Sequence, residues 1–210
     1  MALMSAWVSF YLTGEFKMKK TRNYHIAILS VFIAIVLIQN FVPILGYIPV
    51  GPLSITLIPI TVIVAALVLG LKDGVILGTL WGAIVFIRAF TWPTSPIAPL
   101  VFENPITAIL PRALIPVVAY FAYKWLKKIM NHRISLVVAC ALGSMTNTIL
   151  VLLFIYIFNR KQAPILYHVS VDKIIYALLG IVGTNGLVEM VITAIICPLI
   201  IISLNKVIQK

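Results

Sequence analysis

The sequence predicts an all-α protein, a six-transmembrane-helix bundle with ordered extracellular loops, and three observations carry that prediction. Hydrophobic residues make up 62% of the 210 residues and charged residues only 10%, against about 25% charged in a soluble domain. Several apolar runs approach or exceed the roughly 20 residues needed to cross a hydrocarbon core about 30 Å thick. The runs are continuous rather than alternating, which rejects a barrel and leaves helices as the form that satisfies the backbone in lipid. One bundle accounts for the length: an N-terminal cytoplasmic leader at 1–22, then a membrane domain at 23–210.

Taken in order, the leader comes first. Met1 to Leu12 is apolar and aromatic, but basic residues follow it at Lys17, Lys19 and Lys20, the reverse of a signal peptide. Met18-Lys19-Lys20 reads as a more natural start, which makes the leader an extension without a function of its own. Spans are expected at 24–42, 55–71, 74–90, 105–126, 134–158 and 172–205. The last two exceed the minimum and are expected to tilt or to run past the bilayer. With the N-terminus inside, eleven Lys and Arg fall on the inner side and three on the outer side, with Arg88 and Arg112 inside spans. That excess predicts a multi-pass protein of the plasma (cell) membrane with both termini cytoplasmic. The outer connections are then 39–54, 91–104 and 159–172. They carry Pro43, Pro49, Pro52, Pro93, Pro96 and Pro99, and proline favours ordered, non-helical caps. Stiff loops on one face are what a lid over a site requires. Gly46 and Gly51, flanking Tyr47 to Val50 and followed by Pro52, are its expected hinges.

The net charge of +11 does not indicate nucleic acid, because the basic residues sit at helix ends and form no stripe interleaved with aromatics. Cys140 and Cys197 lie within apolar runs and read as small core residues rather than a disulfide framework. Catalytic constellations are missing. No Gly-x-x-x-x-Gly-Lys-Ser/Thr loop is present, so the chain is not itself a P-loop ATPase. His25, His132 and His168 fall near span ends and cannot form a metal cluster with Glu189. No serine sits in a Gly-x-Ser-x-Gly elbow. No cofactor and no metal are expected.

Ionisable residues inside a span are costly and mark candidate sites. Arg88 lies within a turn of the outer end of span three, where snorkelling to the interface is the alternative. Arg112 lies seven residues into span four, about 10 Å deep, where snorkelling is harder. Asn185 and Glu189 in span six are four residues apart and share a helical face; the alternative for Glu189 is a structural pair with an arginine. Asn147, within Ser144-Met145-Thr146-Asn147-Thr148, forms a third polar island that can also act as interhelical glue.

The segment Ile48-Pro49-Val50-Gly51-Pro52-Leu53-Ser54-Ile55-Thr56-Leu57-Ile58-Pro59, continuing to Leu69-Gly70-Leu71-Lys72-Asp73-Gly74, resembles the substrate-binding S-components of energy-coupling factor vitamin transporters. The resemblance runs from about residue 25 to the C-terminus. It implies a six-helix membrane subunit that captures a vitamin from outside, with the loop between spans one and two closing over the site. It also implies a transmembrane coupling subunit and two cytosolic ATPase subunits as partners. The family's Ala-x-x-x-Ala motif on the first span contacts the coupling subunit. Here Ala27 is followed at i+4 by Val31, while Ser30 and Ala34 form a small-x-x-x-small pair, so the small face is kept in a shifted register.

For the ligand, Phe86-Ile87-Arg88-Ala89-Phe90, Pro93 to Pro105 and Leu110-Pro111-Arg112 resemble the pantothenate-type branch most. Pantothenate carries a carboxylate, hydroxyls and an amide. Arginine suits the carboxylate by its bidentate fork, and Asn or Glu accepts from hydroxyls. A pyrimidine precursor, pyridoxine or riboflavin stays open, because Tyr47, Phe90 and Trp92 supply stacking aromatics. Two other classes compete: a structural membrane subunit without a small ligand, and an intramembrane enzyme.

Overall fold

The computed structural model describes residues 22–50, 53–93, 98–159, 176, 179–180 and 182–208. The leader short of Arg22, the hinge residues Gly51 and Pro52, His168, and most of 159–172 with the start of the expected last span lie outside the described residues. The chain runs through α1 (Arg22–Phe41), α2 (Pro43–Gly46), β1 (Tyr47–Val50), β2 (Leu53–Thr56), α3 (Ile58–Val68), α4 (Leu71–Thr91), α5 (Ala98–Phe102), α6 (Pro105–Leu126) and α7 (His132–Phe158). A π-helical turn at Val182–Gly186 then leads into α8 (Leu187–Ile208). α1, α4, α6, α7 and the stretch Gly183–Leu204 are long and apolar enough to cross a membrane.

The protein is mostly helical, as its composition demands, and departs from the expectation in two places. It is not purely α: β1 and β2 form an antiparallel hairpin with Tyr47 opposite Thr56 and Val50 opposite Leu53. The expected span at 55–71 gives Ile55 and Thr56 to that hairpin and keeps only the 11 residues of α3. At 1.5 Å per residue α3 is about 16 Å long, half a hydrocarbon core. Its sequence is apolar on every side, and every residue from Ile58 to Ala66 is buried, as such a helix must be. It ends at Gly70, whose φ of 126° suits a residue without a side chain. α3 therefore forms the axis around which α1, α4, α6, α7 and α8 pack. The core it shares with Leu77, Trp81, Ile115, Leu136, Cys197 and Ile201 is continuous.

α4 and α6 meet backbone to backbone. Gly74, Gly78 and Gly82 recur every four residues on one face of α4. A Cβ on Gly78 would collide with the carbonyl of Arg112, and one on Gly82 would stand 2.6 Å from the Ile109 Cα. Small residues are what allow helices to approach this closely in lipid. Gly78→Leu is therefore expected to force α4 off α6 and cost about 1–3 kcal/mol, the usual range for overpacking. Gly180→Ala, which meets nothing within 4 Å, is the control. Thermal unfolding of the purified variants compares the two.

The antiparallel register of α6 and α7 is set where Gly143 sits against Ala119, a Cβ on the glycine falling 2.9 Å from that of the alanine. At the end away from the hairpin, His25 on α1 contacts Asp73 in the first turn of α4 at 3.2 Å. There the carboxylate also faces the positive end of the α4 dipole.

Candidate ligand-binding site

Pro111 and Pro116 build the position of Arg112. A proline inside a helix removes the N–H that would bond the carbonyl four residues earlier. Pro111 thereby releases the carbonyl of Thr107, and the guanidinium of Arg112 donates to it at 2.8 Å. Pro116 does the same to the carbonyl of Arg112 itself, the group against which Gly78 packs. The cation is thus held by a defect of its own helix and does not snorkel; only 5% of Arg112 is exposed. Aromatic faces complete its shell: the Phe102 ring lies 4.6 Å and the Trp81 ring 5.5 Å from the guanidinium carbon, within cation–π range.

A polar chain links Arg112 to Arg88. Trp81 Nε1 donates to the Tyr47 hydroxyl at 3.3 Å, and that hydroxyl donates to Asn40 Oδ1 at 3.3 Å. Arg88 donates to the backbone carbonyl of Asn40, with its guanidinium carbon 5.8 Å from the Tyr47 ring and 6.0 Å from that of Phe41. Burial pushes the Tyr47 phenol above its ordinary value, so it keeps its proton at neutral pH and remains a donor. Both arginines therefore converge on Tyr47, the first residue of the hairpin.

Glu189 has a backbone partner that its sequence context does not suggest. Its Oε1 accepts from the backbone N–H of Thr56 at 2.6 Å, so a carboxylate on α8 pins the end of β2. Arg112 and Glu189 form no ion pair among the described residues. Each charge is thus held by the protein without being neutralised by the other.

Asn147, Ser144 and Thr148 lie on the buried side of α7. From the contact of Gly143 with Ala119, Asn147 is about 6 Å and Arg112 about 10 Å further toward the hairpin end, at 1.5 Å per residue. Arg112 therefore sits about 4 Å, less than one helical turn, further toward the hairpin than Asn147. Asn185 belongs to the π turn, beside Gly186, where a Cβ would stand 2.9 Å from Thr148; π turns recur at functional sites. Among the described residues, Arg88 Nε, Arg112 Nε, Thr107 Oγ1, Ser144 Oγ and Asn147 Oδ1 are buried without a hydrogen-bond partner. Buried polar groups are paired in most proteins, and such a set among neighbouring helices matches what a small polar ligand satisfies.

Of the residues singled out in the sequence, Arg88, Arg112 and Tyr47 are joined in one network and Glu189 bonds the hairpin. Trp92 stands apart at the end of α4, 68% exposed. Gly46 lies at the hairpin's base, its carbonyl accepting from the Leu57 N–H at 2.9 Å. Ala27, Ser30 and Ala34 are all exposed on α1. Sequence reasoning missed Asn40, Trp81, Phe102 and Thr107. The carbonyl of Thr107 was signalled by its place four residues before Pro111; the contacts of Trp81 and Phe102 had no local signal.

Fold and side chains together describe a multi-pass membrane protein in which two arginines are joined, through aromatic and polar side chains, to a hairpin. Residues 24–201 match the family described as ECF transporter, substrate-specific component. The chain is 34% identical over 202 residues to the pantothenic acid transporter PanT of Lactococcus lactis subsp. cremoris, covering 90% of this chain and 97% of that protein. It is 33% identical over 186 residues to the pantothenate transporter PanT of Leuconostoc mesenteroides subsp. mesenteroides, covering 85% and 90%. The chain belongs to the substrate-specific components of energy-coupling factor transporters. It is a substrate-specific transport subunit rather than an enzyme, and it works with a membrane and ATPase module.

Proposed function

We propose that the chain binds pantothenate from outside the cell and presents it for import by a transmembrane coupling subunit and two ATPase subunits. The observation that carries the reading is Arg112: a buried guanidinium with an unpartnered Nε, within one helical turn of Asn147 in depth, in a chain whose relatives are named for pantothenate. An arginine fork accepts a carboxylate, Asn147 and Ser144 serve its hydroxyls and amide, and Asn185 lies beside them. The hairpin is the lid, on the outer face, with both termini cytoplasmic. The substrate-binding unit is 23–210, and α3 completes a set of six membrane helices although it is too short to span alone.

The partner face is assigned to α1. Ala27, Ser30 and Ala34 are exposed, and only 17% of the α1 span is buried within the chain, against 44% for α4. Small residues there permit close helix contact. Ala27→Trp or Ala34→Trp is expected to weaken co-purification with the coupling subunit and to leave pantothenate affinity unchanged. Lost pantothenate affinity with assembly intact would put this face in the ligand site instead.

Mass spectrometry of ligand released from gently purified protein tests the reading, followed by titration of the emptied protein. Pantothenate should be released and rebound. Release of a pyrimidine precursor, pyridoxine or riboflavin would replace it. Failure to bind any vitamin would favour a structural subunit.

A further inference from the structure

A groove of about 410 Å³ runs along the outside of the bundle between α7 and α8, away from the site described above. Small or rigid residues line it, Ala141 on α7 and Ala194 and Pro198 on α8, together with Val137 and Ile202. One charged side chain lines it: Arg133, in the first turn of α7. From Met190 to Ile202, both lining residues, the groove follows twelve residues of α8, about 18 Å at 1.5 Å per residue. That exceeds half of a hydrocarbon core, about 15 Å, and Ile202 lies two residues from the end of the apolar stretch Gly183–Leu204, so the groove runs from near that end past the middle of the stretch.

The charge at its end is one-sided. Lys127, Lys128, His132 and Arg133 are all exposed at the α6–α7 turn. α7 contains no acidic residue, and the one on α8, Glu189, is bonded to Thr56. An apolar trough lined at one end by an arginine, with no acidic side chain in its lining, fits an amphiphile with a long apolar tail and an anionic head.

We infer that the α7–α8 groove seats one acyl chain of an anionic phospholipid, whose phosphate is held by Arg133 with Lys127 and Lys128 nearby. Basic pockets between membrane helices commonly hold such head groups. Bound there, the lipid fastens α8, which carries Glu189, against α7, which carries Asn147.

Native mass spectrometry of the full chain tests this. The delipidated protein is exposed to mixed micelles of phosphatidylglycerol and phosphatidylcholine with identical acyl chains. One phosphatidylglycerol should be retained in preference to phosphatidylcholine. Arg133→Gln should reduce that preference about fivefold, the effect of one basic residue at a membrane surface. Ala194→Trp, which fills the trough, should abolish retention of both lipids, with pantothenate affinity reporting that each variant is folded. Equal retention of the two lipids by the unaltered protein, or an undiminished preference in Arg133→Gln, would overturn the inference. Ala194→Trp that loses the coupling subunit while retaining phosphatidylglycerol would overturn it too, and assign the groove to the partner.

Discussion

Arg112→Gln is expected to weaken pantothenate binding about ten- to a hundredfold while leaving the protein folded. A hydrogen bond to a charged group is worth about 1.5–3 kcal/mol, which sets that range. Glutamine keeps a donor that can reach toward the Thr107 carbonyl, now bonded by Arg112 at 2.8 Å, so the proline-made defect in α6 stays partly satisfied. It loses the cation that faces Phe102 and Trp81 and the fork that a carboxylate requires. The structure weakens the rival in which Arg112 serves as a buried structural pair with Glu189. The two make no ion pair among the described residues, and Glu189 is bonded to Thr56. If the rival held, Arg112→Gln would lower thermal stability in the absence of ligand by as much as in its presence. Titration with pantothenate and thermal unfolding with and without it separate the cases. A stable variant with undiminished affinity would remove Arg112 from the site and pass the anion to Arg88, whose Nε is likewise unpartnered.

Much of the fold was legible because lipid imposes it. α6 spans 105–126, the expected limits, since Asn104 caps it by accepting from the Ile106 N–H and Pro105 opens it, local signals both. The burial of Arg112 was legible from its depth in an apolar run. The fate of 55–71 was not. That stretch is apolar enough to span, and nothing within it says that its first residues pair with Tyr47 and Ile48. Strand pairing depends on the facing partner, which no pattern within either stretch names. The aromatic shell of Arg112 was illegible for the same reason: Trp81 and Phe102 come from α4 and α5, and only packing of α4 on α6 through Gly78 and Gly82 brings them to it. Glu189 shows the limit most clearly. Its position in a span announced a buried carboxylate in need of a partner, but the partner is a backbone N–H 133 residues away, which no side-chain pattern encodes.

That bond makes Glu189→Ala the second large effect to expect. The Thr56 N–H would lose a charged acceptor worth about 1.5–3 kcal/mol, so the hairpin's open fraction should rise about ten- to a hundredfold. Because the same hairpin begins with Tyr47, joined to Trp81 and Asn40, opening would dismantle the shell around both arginines. The loss should therefore appear as faster pantothenate dissociation with little change in association, as lids that gate release behave. Hydrogen exchange of the ligand-free protein discriminates the latch from a direct ligand contact. As a latch, Glu189→Ala should speed exchange of the Thr56 amide and its neighbours in β2 before any ligand is added. Glu189→Gln, which keeps an acceptor oxygen, should restore much of the protection and of the affinity. If Glu189 instead receives the ligand's hydroxyls directly, exchange in the ligand-free protein will be unchanged in both variants, and pantothenate affinity will fall through lost contact alone. Unaltered exchange at Thr56 in Glu189→Ala would therefore end the latch assignment.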